Sequence, residues 1–280
     1  MTRELRLRTL SAIVMLIVVL SATWLGGFYF SCLAAVIGLT VFWEWSHMTG
    51  LAANSIRGVA AGWFSVAVIA LNVVFGDMTL SLPLLGGFTV TLILATFIWR
   101  WSWWLSAGVL YSGACIVALA SIRDDDALGF VAMLFVFVIV WSTDILAYFV
   151  GRTLGGPKLA PRISPGKTWS GAIGGTIAGV IGGYIVAFSY FSVSGLWIPI
   201  LALALSVLSQ MGDLFESFIK RRFGAKDSSH LIPGHGGVMD RVDGLATASF
   251  GAFIIAMSLA ASSNGSTDSI GGLLFGFVGK

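Results

Sequence analysis

Residues 128–150 read LGFVAMLFVFVIVWSTDILAYFV, an apolar stretch whose one charged side chain is Asp144. A helix needs about 20 apolar residues to cross the hydrocarbon core of a bilayer. The stretch is continuous rather than alternating, which favours a helix over a strand of a membrane barrel. These residues therefore predict a transmembrane helix.

The composition of the whole chain agrees with this prediction. Of 280 residues, 57% are hydrophobic and only 10% are charged, whereas soluble domains carry about 25% charged residues. A soluble enzyme, a disordered chain and a fibrous repeat protein are thereby excluded. The 35 glycines fit close helix packing in lipid. Cys32 and Cys115 both lie in apolar runs, which indicates buried thiols rather than a disulfide framework or a zinc site.

Nine such stretches predict an all-α, polytopic integral membrane protein with about nine transmembrane helices. The predicted spans are residues 8–25, 27–43, 58–76, 81–99, 101–121, 128–150, 170–191, 195–215 and 244–262. The gaps hold turn and charge signals, among them residues 44–57 and the Asp124–Asp126 run. The first span follows three arginines and resembles a signal peptide, but it is long for one and another span follows at once. We divide the chain into membrane helices at 1–127 and a more polar region at 128–280.

Most basic residues lie on one side of this predicted membrane. With nine spans, the N-terminus shares its side with every even-to-odd loop, and that side holds all of the 16 lysines and arginines except Arg123 and Lys280. Basic loops stay in the cytoplasm. The N-terminus is therefore predicted to be cytoplasmic. The C-terminus, after the polar residues 262–269 and an apolar tail too short to cross again, is predicted to lie outside.

Charged residues concentrate between positions 213 and 243. A solvated cytoplasmic loop would explain them, but carboxylates at a membrane boundary are costly unless they are paired or bind a cation. Two carboxylate pairs have the spacing of one helix face, and together they are suited to Mg²⁺, which takes oxygen ligands and substrate phosphates. The pairs are Asp213 with Glu216 and Asp240 with Asp243. The basic residues between them suit a polyphosphate: Lys220, Arg221, Lys226 and Arg241.

Two further segments on the same side suit anion binding. The turn PGHGG at 233–237 lets backbone N–H groups approach an anion, although an ordinary loop would use the same residues. The run SPGKTW at 164–169 looks like the end of a P-loop, but Pro161 stands where that motif needs glycine, and no strand is predicted before it. Lys167 and Thr168, at a loop-to-helix junction, remain candidates for phosphate binding. Asp144 is either a core aspartate bonded to neighbouring hydroxyls or a site residue, and we favour the site.

The residues SFIKRRFGAKD at 217–227 and PGHGGVMDRVD at 233–243 resemble the signature of the phosphatidate cytidylyltransferases, or CDP-diacylglycerol synthases, with the spacing intact. GDLFE at 212–216 is similar to that family as well, as are Asp144 to Arg152, Ser164-Pro165 and Lys167-Thr168-Trp169. The family commonly reads SPKKTWEG in the second segment, where this chain has Gly166 and Ser170 in place of a Lys and the Glu.

The resemblance implies transfer of a cytidylyl group from CTP to phosphatidic acid, giving CDP-diacylglycerol and pyrophosphate. It implies a homodimer in a bacterial-type inner membrane, a site open to the cytoplasm and the lipid, Mg²⁺ with a monovalent cation such as K⁺ beside it, and no nucleic-acid partner. Residues 128–280 become the catalytic region. Carried over by motif position, the metal and catalytic carboxylates are Asp213, Asp240 and Asp243, the catalytic cations are Lys220 and Arg241, and the substrate-binding residues are Asp144, Lys167, Thr168, Ser217, Arg221, Lys226, His235, Gly236 and Gly237.

Two other functions fit parts of this pattern. A cation-coupled transporter would use intramembrane carboxylates such as Asp144 and Asp213, but the inverted repeats typical of transporters are not visible in the sequence. A related nucleotidyltransferase acting on another lipid phosphate would share the motifs. A CDP-alcohol phosphotransferase is rejected, because Thr247 and Ala248 stand where its motif after Asp243-Gly244 needs Ala and Arg.

Overall fold

The computed structural model describes residues 3–124, 127–192, 195–262 and 269–276. Its helices are α1 (Arg3–Leu25), α2 (Gly27–Met48), α3 (Leu51–Asn54), α4 (Ile56–Phe75), α5 (Ser81–Trp99), α6 (Trp103–Arg123), α7 (Ala127–Leu154), α8 (Trp169–Tyr190), α9 (Trp197–Arg222), α10 (Met239–Ser262) and α11 (Ile270–Leu274). A 3-10 turn, Met78–Leu80, precedes α5, and two short strands, β1 (Lys158–Ala160) and β2 (Ser164–Thr168), precede α8. Three features named above fall outside the described residues: Asp125 and Asp126, residues 263–268, and Lys280.

The predicted fold class is confirmed. Within the described ranges, nine helices are long and apolar enough to cross a membrane, and each corresponds to one predicted span. The chain is an integral membrane protein. The apolar tail forms the five-residue helix α11, which is too short to cross again.

Several predicted boundaries were wrong at the polar ends of the spans. The second span was predicted to end at residue 43, but α2 continues to Met48. The eighth span was predicted to end at residue 215, but α9 continues to Arg222. The ninth was predicted to begin at residue 244, but α10 begins at Met239. Hydropathy ends a span where charges begin, whereas the helical hydrogen-bond ladder continues through charged residues. The i, i+4 pair of Glu216 and Lys220 supports the extension of α9.

The described residues form two compact units. The first contains Met1–Ser121 and Phe223–Arg241, and the second contains Ile122–Arg222 and Val242–Lys280. In the first unit, α2 is anchored by Trp45, whose indole N–H donates to the Trp104 carbonyl at 2.8 Å and whose ring stacks on Tyr111. Gly108 lies so close to this indole that a Cβ there would be 2.5 Å from Trp45 Cδ1. This packing holds the inner face of α2 against α6.

In the second unit, α8 packs against α7 through glycines. Every fourth residue of its buried face is small: Gly171, Gly175, Gly179, Gly183 and Ala187. The opposite face carries large exposed isoleucines: Ile173, Ile177, Ile181 and Ile185. A helix that buries its small residues and exposes its large apolar ones is suited to lipid, where small residues allow two backbones to approach.

The polar segment between α7 and α8 is not a plain loop. β1 and β2 form an antiparallel hairpin in which Lys158 pairs with Thr168 and Ala160 pairs with Ser164. The sequence did not reveal it, because strands of three and five residues are too short to show alternation, and β2 contains Pro165 and Gly166, both disfavoured in strands.

Gly175→Ala is expected to destabilise the protein. Its Cβ would lie 2.5 Å from the Thr143 carbonyl oxygen and 2.8 Å from Ala147 Cβ, so α7 and α8 must separate, at a cost of about 1–3 kcal/mol. The matched control is Gly87→Ala in α5, where a Cβ meets nothing within 4 Å and alanine improves helix propensity by about 1 kcal/mol. Thermal unfolding in detergent should show a lower melting temperature for Gly175→Ala alone. An unchanged value would contradict the glycine contact.

Candidate active site

Polar side chains along α9 find partners inside the second unit. Glu216 is fully buried, and its carboxylate accepts a hydrogen bond from the Lys220 ammonium group at 2.7 Å. Asp213 forms an ion pair with Lys167 of β2, and the Ser217 hydroxyl lies 3.4 Å from the same carboxylate. A buried carboxylate left without such a partner is strongly destabilising. The ammonium groups therefore hold two carboxylates along one side of α9.

Asp243 of α10 joins this group. Its carboxyl group lies close to that of Glu216 and within range of the charges of Asp213 and Lys220. Helix α10 approaches α9 closely because residue 212 is glycine, where a Cβ would lie 2.6 Å from the Asp243 carbonyl oxygen. Two carboxyl groups at close approach need either a shared proton or a bound cation between their oxygens. We call this group the α9 cluster: Lys167, Asp213, Glu216, Lys220 and Asp243.

The hairpin positions Lys167. Thr168, the last residue of β2, caps α8: its hydroxyl oxygen accepts a hydrogen bond from the Gly171 N–H at 3.1 Å. The Arg221 guanidinium donates to the carbonyl of Ile163, in the turn between the strands, at 3.4 Å. Thr168 and Arg221, both predicted to bind substrate, therefore make contacts that hold the hairpin, while Lys167 reaches the α9 cluster.

Two other residues of this region have different surroundings. The hydroxyl of Ser170, which stands where the resemblance expects glutamate, donates to the Gly155 carbonyl and so anchors the preceding turn. Asp144 is exposed on α7, whereas its neighbour Thr143 is buried and shares a 2.7 Å hydrogen bond with Ser206. Asp144 is therefore not a core aspartate, and its substrate contact stays a prediction.

The first unit holds a polar cavity of about 500 Å³. This volume lies in the range of small-molecule sites. Most of its lining comes from the segment between α9 and α10, residues 223–238, which we call the signature loop. The lining residues are Arg8, Lys226, Asp227, His230, Ile232, Gly234, His235, Gly236 and Arg241. Three permanent cations against one carboxylate give the cavity a positive field, which suits a polyphosphate.

A tight turn shapes one wall of the cavity. The Ile232 N–H donates to the Gly236 carbonyl at 2.8 Å, and the His235 N–H donates to the Ile232 carbonyl at 2.9 Å. Gly234 and Gly236 have φ of +76° and +84°, a conformation in which glycine is favoured. The imidazole Nδ1 of His235 lies 2.8 Å from the hydroxyl of Ser11 in α1. Helix α1 therefore contacts the turn through a polar side chain.

The surroundings of His235 favour its neutral form. Partial burial lowers its pKa below the usual 6.5, and the positive charges of Arg241 and Arg8 act in the same direction, against a hydrogen bond with Pro233 that raises it. A neutral imidazole at pH 7 can accept or donate one hydrogen bond at each nitrogen. The positive charge of the cavity therefore comes from Arg8, Arg241 and Lys226 rather than from His235.

Asp240, in the first turn of α10, organises the signature loop. Its Oδ2 accepts three hydrogen bonds, each of 2.8 Å, from the N–H of Ser228, the hydroxyl of Ser228 and the N–H of Gly237. That oxygen is therefore occupied by the loop. The metal contact predicted for Asp240 stays a prediction. Gly237, predicted to bind substrate, instead places its N–H on Asp240.

Several residues at this cavity were not foreseen as site residues. Arg8 was used only to set orientation, and Ser11, Asp227 and Ser228 were given no role. Glu44 was read as a boundary signal after the second span, but it is fully buried inside α2. The rule that a charge within an apolar helix marks a functional position would have singled out Glu44, since it stands alone among Phe42, Trp43 and Trp45.

The carboxylates fit Mg²⁺ only in part. In the described part of the chain, no group of three His, Cys, Asp or Glu side chains is arranged to hold a metal. Mg²⁺ commonly uses one or two carboxylates and takes its other ligands from water and substrate phosphates. Asp213 and Asp243, close together in the α9 cluster, have the donor chemistry for that arrangement.

Comparison with known proteins identifies the family. The Cytidylyltransferase family matches residues 6–259. The chain is 44% identical to the phosphatidate cytidylyltransferase of Brucella abortus biovar 1 (strain 9-941) over 248 residues, covering 88% of this chain and 90% of that protein. It is 33% identical to the protein of the same name from Haemophilus influenzae, covering 87% of this chain and 96% of that one, and 32% identical to that from Bacillus subtilis (strain 168), with 75% and 74% covered. Since the match spans the membrane helices as well as the signature, the chain belongs to the cytidylyltransferase family.

Proposed function

We propose that this protein transfers the cytidylyl group of CTP to phosphatidic acid, giving CDP-diacylglycerol and pyrophosphate. The observation that carries the proposal is the positive cavity formed by the signature loop, with Arg8, Lys226 and Arg241 in its wall. Family membership and the names of the relatives support the same reaction. A lipid substrate also accounts for the nine apolar helices of the described chain.

The reaction needs charge neutralisation more than it needs a base. An oxygen of the phosphatidate phosphate, already ionised near neutral pH, attacks the α-phosphorus of CTP. A new P–O bond forms while the bond from the α-phosphorus to the bridging oxygen of the β-phosphate breaks, and pyrophosphate leaves with the electron pair. Lys226, Arg241 and Arg8 reduce the repulsion between the two anions and stabilise the leaving group.

The α9 cluster is the proposed place of the divalent cation. Asp213 and Asp243 would hold Mg²⁺, and the metal contact that the family motif implies for Asp240 stays a prediction. Lys167 pairs with Asp213 and Lys220 pairs with Glu216, and both ammonium groups would exchange onto phosphate oxygens when substrate binds. When bound, Mg²⁺ supplies charge neutralisation and a template for the in-line geometry. A monovalent cation such as K⁺ beside it remains part of the proposal.

The proposed orientation is supported by the distribution of basic residues, and the proposed assembly by the family resemblance. We infer a cytoplasmic N-terminus, an outside C-terminus and a site that faces the cytoplasm of a bacterial-type inner membrane, because the basic loops share the side of the signature loop and CTP is water-soluble. We also propose a homodimer, as the family resemblance implies, and no nucleic-acid partner.

Purified protein in detergent should release pyrophosphate when it is given CTP, phosphatidic acid and Mg²⁺. Release should require the lipid, so CTP alone is the control, and a chelator of divalent cations should stop it. No pyrophosphate from the complete mixture would refute the proposed reaction. Turnover that continues in the presence of the chelator would contradict the proposed role of the divalent cation but not the proposed reaction.

Asp213→Asn should lower kcat by about 100-fold or more, since it removes the charge that pairs with Lys167 and would hold the cation. The matched control is Asp77→Asn, which alters a carboxylate in the exposed turn before α5 and should leave kcat unchanged. Steady-state rates per milligram of monodisperse protein provide the comparison. Equal rates for the two variants would remove Asp213 from the mechanism.

A further inference from the structure

Among the carboxylates of the first unit whose side chains the structure describes, Glu44 is the most completely enclosed. Its residue is 0% exposed, beside the equally buried Trp45 and Phe42 in α2. Charged side chains in a membrane interior are expensive and usually serve a function. This helix lies outside the signature motif, so the position has no role in the mechanism described above.

Four donors compensate the Glu44 carboxylate. Oε1 accepts from the Ser229 hydroxyl at 2.6 Å and from the Val238 N–H at 2.8 Å. Oε2 accepts from the Met239 N–H at 2.6 Å and from the Ser228 hydroxyl at 3.1 Å. The hydroxyls lie before the glycine turn and the two N–H groups lie after it. Glu44 therefore ties both sides of the turn together, and it places a negative charge at the N-terminus of α10.

Ser228 links this carboxylate to Asp240. Its hydroxyl lies 3.1 Å from Glu44 Oε2 and 2.8 Å from Asp240 Oδ2, and it has a single proton to share between them. Gly237 completes the contact: a Cβ there would collide with the Ser228 hydroxyl and with Glu44 Oε1. The orientation of Asp240 and the path of the loop are thus set in part from α2.

We propose that Glu44 is a positioning residue for the cytidylyl transfer. It fixes residues 228–239, and through them the turn that carries His235 and Gly236 into the cavity and the carboxylate of Asp240. The inference rests on the proposed function for its kinetic consequence, whereas its structural consequence is independent of that function. Glu44 contacts the loop and not the reacting atoms, so it acts through Asp240 and the turn.

Glu44→Gln is the sharpest variant. In either orientation, the amide nitrogen of Gln faces the N–H of Val238 or of Met239, so one backbone hydrogen bond is lost whichever way the side chain turns. We expect kcat per folded protein to fall by about 10–100-fold, the usual effect of losing a residue that orients a ligand-binding group. Glu44→Asp keeps the charge on a shorter side chain and should recover part of the rate.

Thr96→Val is the matched control for a buried hydrogen bond. Thr96 is buried in α5, and its hydroxyl donates to the Leu92 carbonyl of the same helix at 2.8 Å. This variant should keep wild-type kcat. If Glu44 served stability alone, Glu44→Gln and Thr96→Val would both lower the yield of folded protein. The kcat per folded protein would then be unchanged in both variants.

Hydrogen exchange gives a readout that does not depend on activity. The N–H groups of Gly237, Val238 and Met239 should exchange faster in Glu44→Gln than in wild type, and at the wild-type rate in Thr96→Val. If the wild type shows no transfer, the proposed function fails while exchange still decides the loop contact. Wild-type kcat or wild-type exchange in folded Glu44→Gln overturns the inference.

If Glu44→Gln does not fold, Ser229→Ala takes its place. It removes one of the four donors to Glu44, together with the acceptor of the Leu231 N–H, and it leaves the two backbone hydrogen bonds to Glu44 in place. We expect a several-fold loss of kcat and faster exchange at Val238, the other donor to Oε1. Wild-type values for both, together with full activity of Glu44→Asp, would overturn the inference.

Discussion

A carboxylate enclosed by protein in a membrane must be compensated within hydrogen-bond distance, and the polar parts of this structure follow from that constraint. Glu216 meets the constraint with Lys220, and Asp213 meets it with Lys167. Glu44 uses backbone N–H groups and hydroxyls instead. Each carboxylate thereby fixes the segment that supplies its partners. The scarce charges of the chain organise its loops as well as its chemistry.

The apolar scaffold obeys a complementary constraint. In lipid, the exposed isoleucines on α8 carry little penalty in free energy, because their surroundings are also apolar. Close contact with α7 is made by glycines, which have no side chain to keep the two backbones apart. The glycines of α8 bring its backbone near the Thr143 carbonyl. Gly212 does the same for α9 near Asp243. Glycine therefore acts where two helices must approach, and in the second case the approach brings catalytic candidates together.

Hydropathy was sufficient to predict the nine spans, because each is an apolar run with at most one charged residue. It could not predict that α9 and α10 extend into the charged region, because the backbone hydrogen bonds of a helix form equally well beside polar and apolar side chains. The motif positions predicted Lys167, Asp213 and Asp243 as site residues, and these lie together. Glu44 and Arg8 were missed as site residues because their partners are distant in sequence, and spacing along one helix carries no information about such contacts.

Glu44 and Asp240 hold the signature loop in place largely through its backbone N–H groups. Glu44 and Asp240 bind the N–H groups of Ser228, Gly237, Val238 and Met239, which any residue except proline would supply. Amino-acid identity at solvent-facing positions such as Leu231 is therefore loosely constrained, whereas loop length is not. Inserting or deleting one residue between Ser229 and Gly237 would shift every donor out of register at once. Outside its serines and glycines, this segment can vary in sequence more readily than in length.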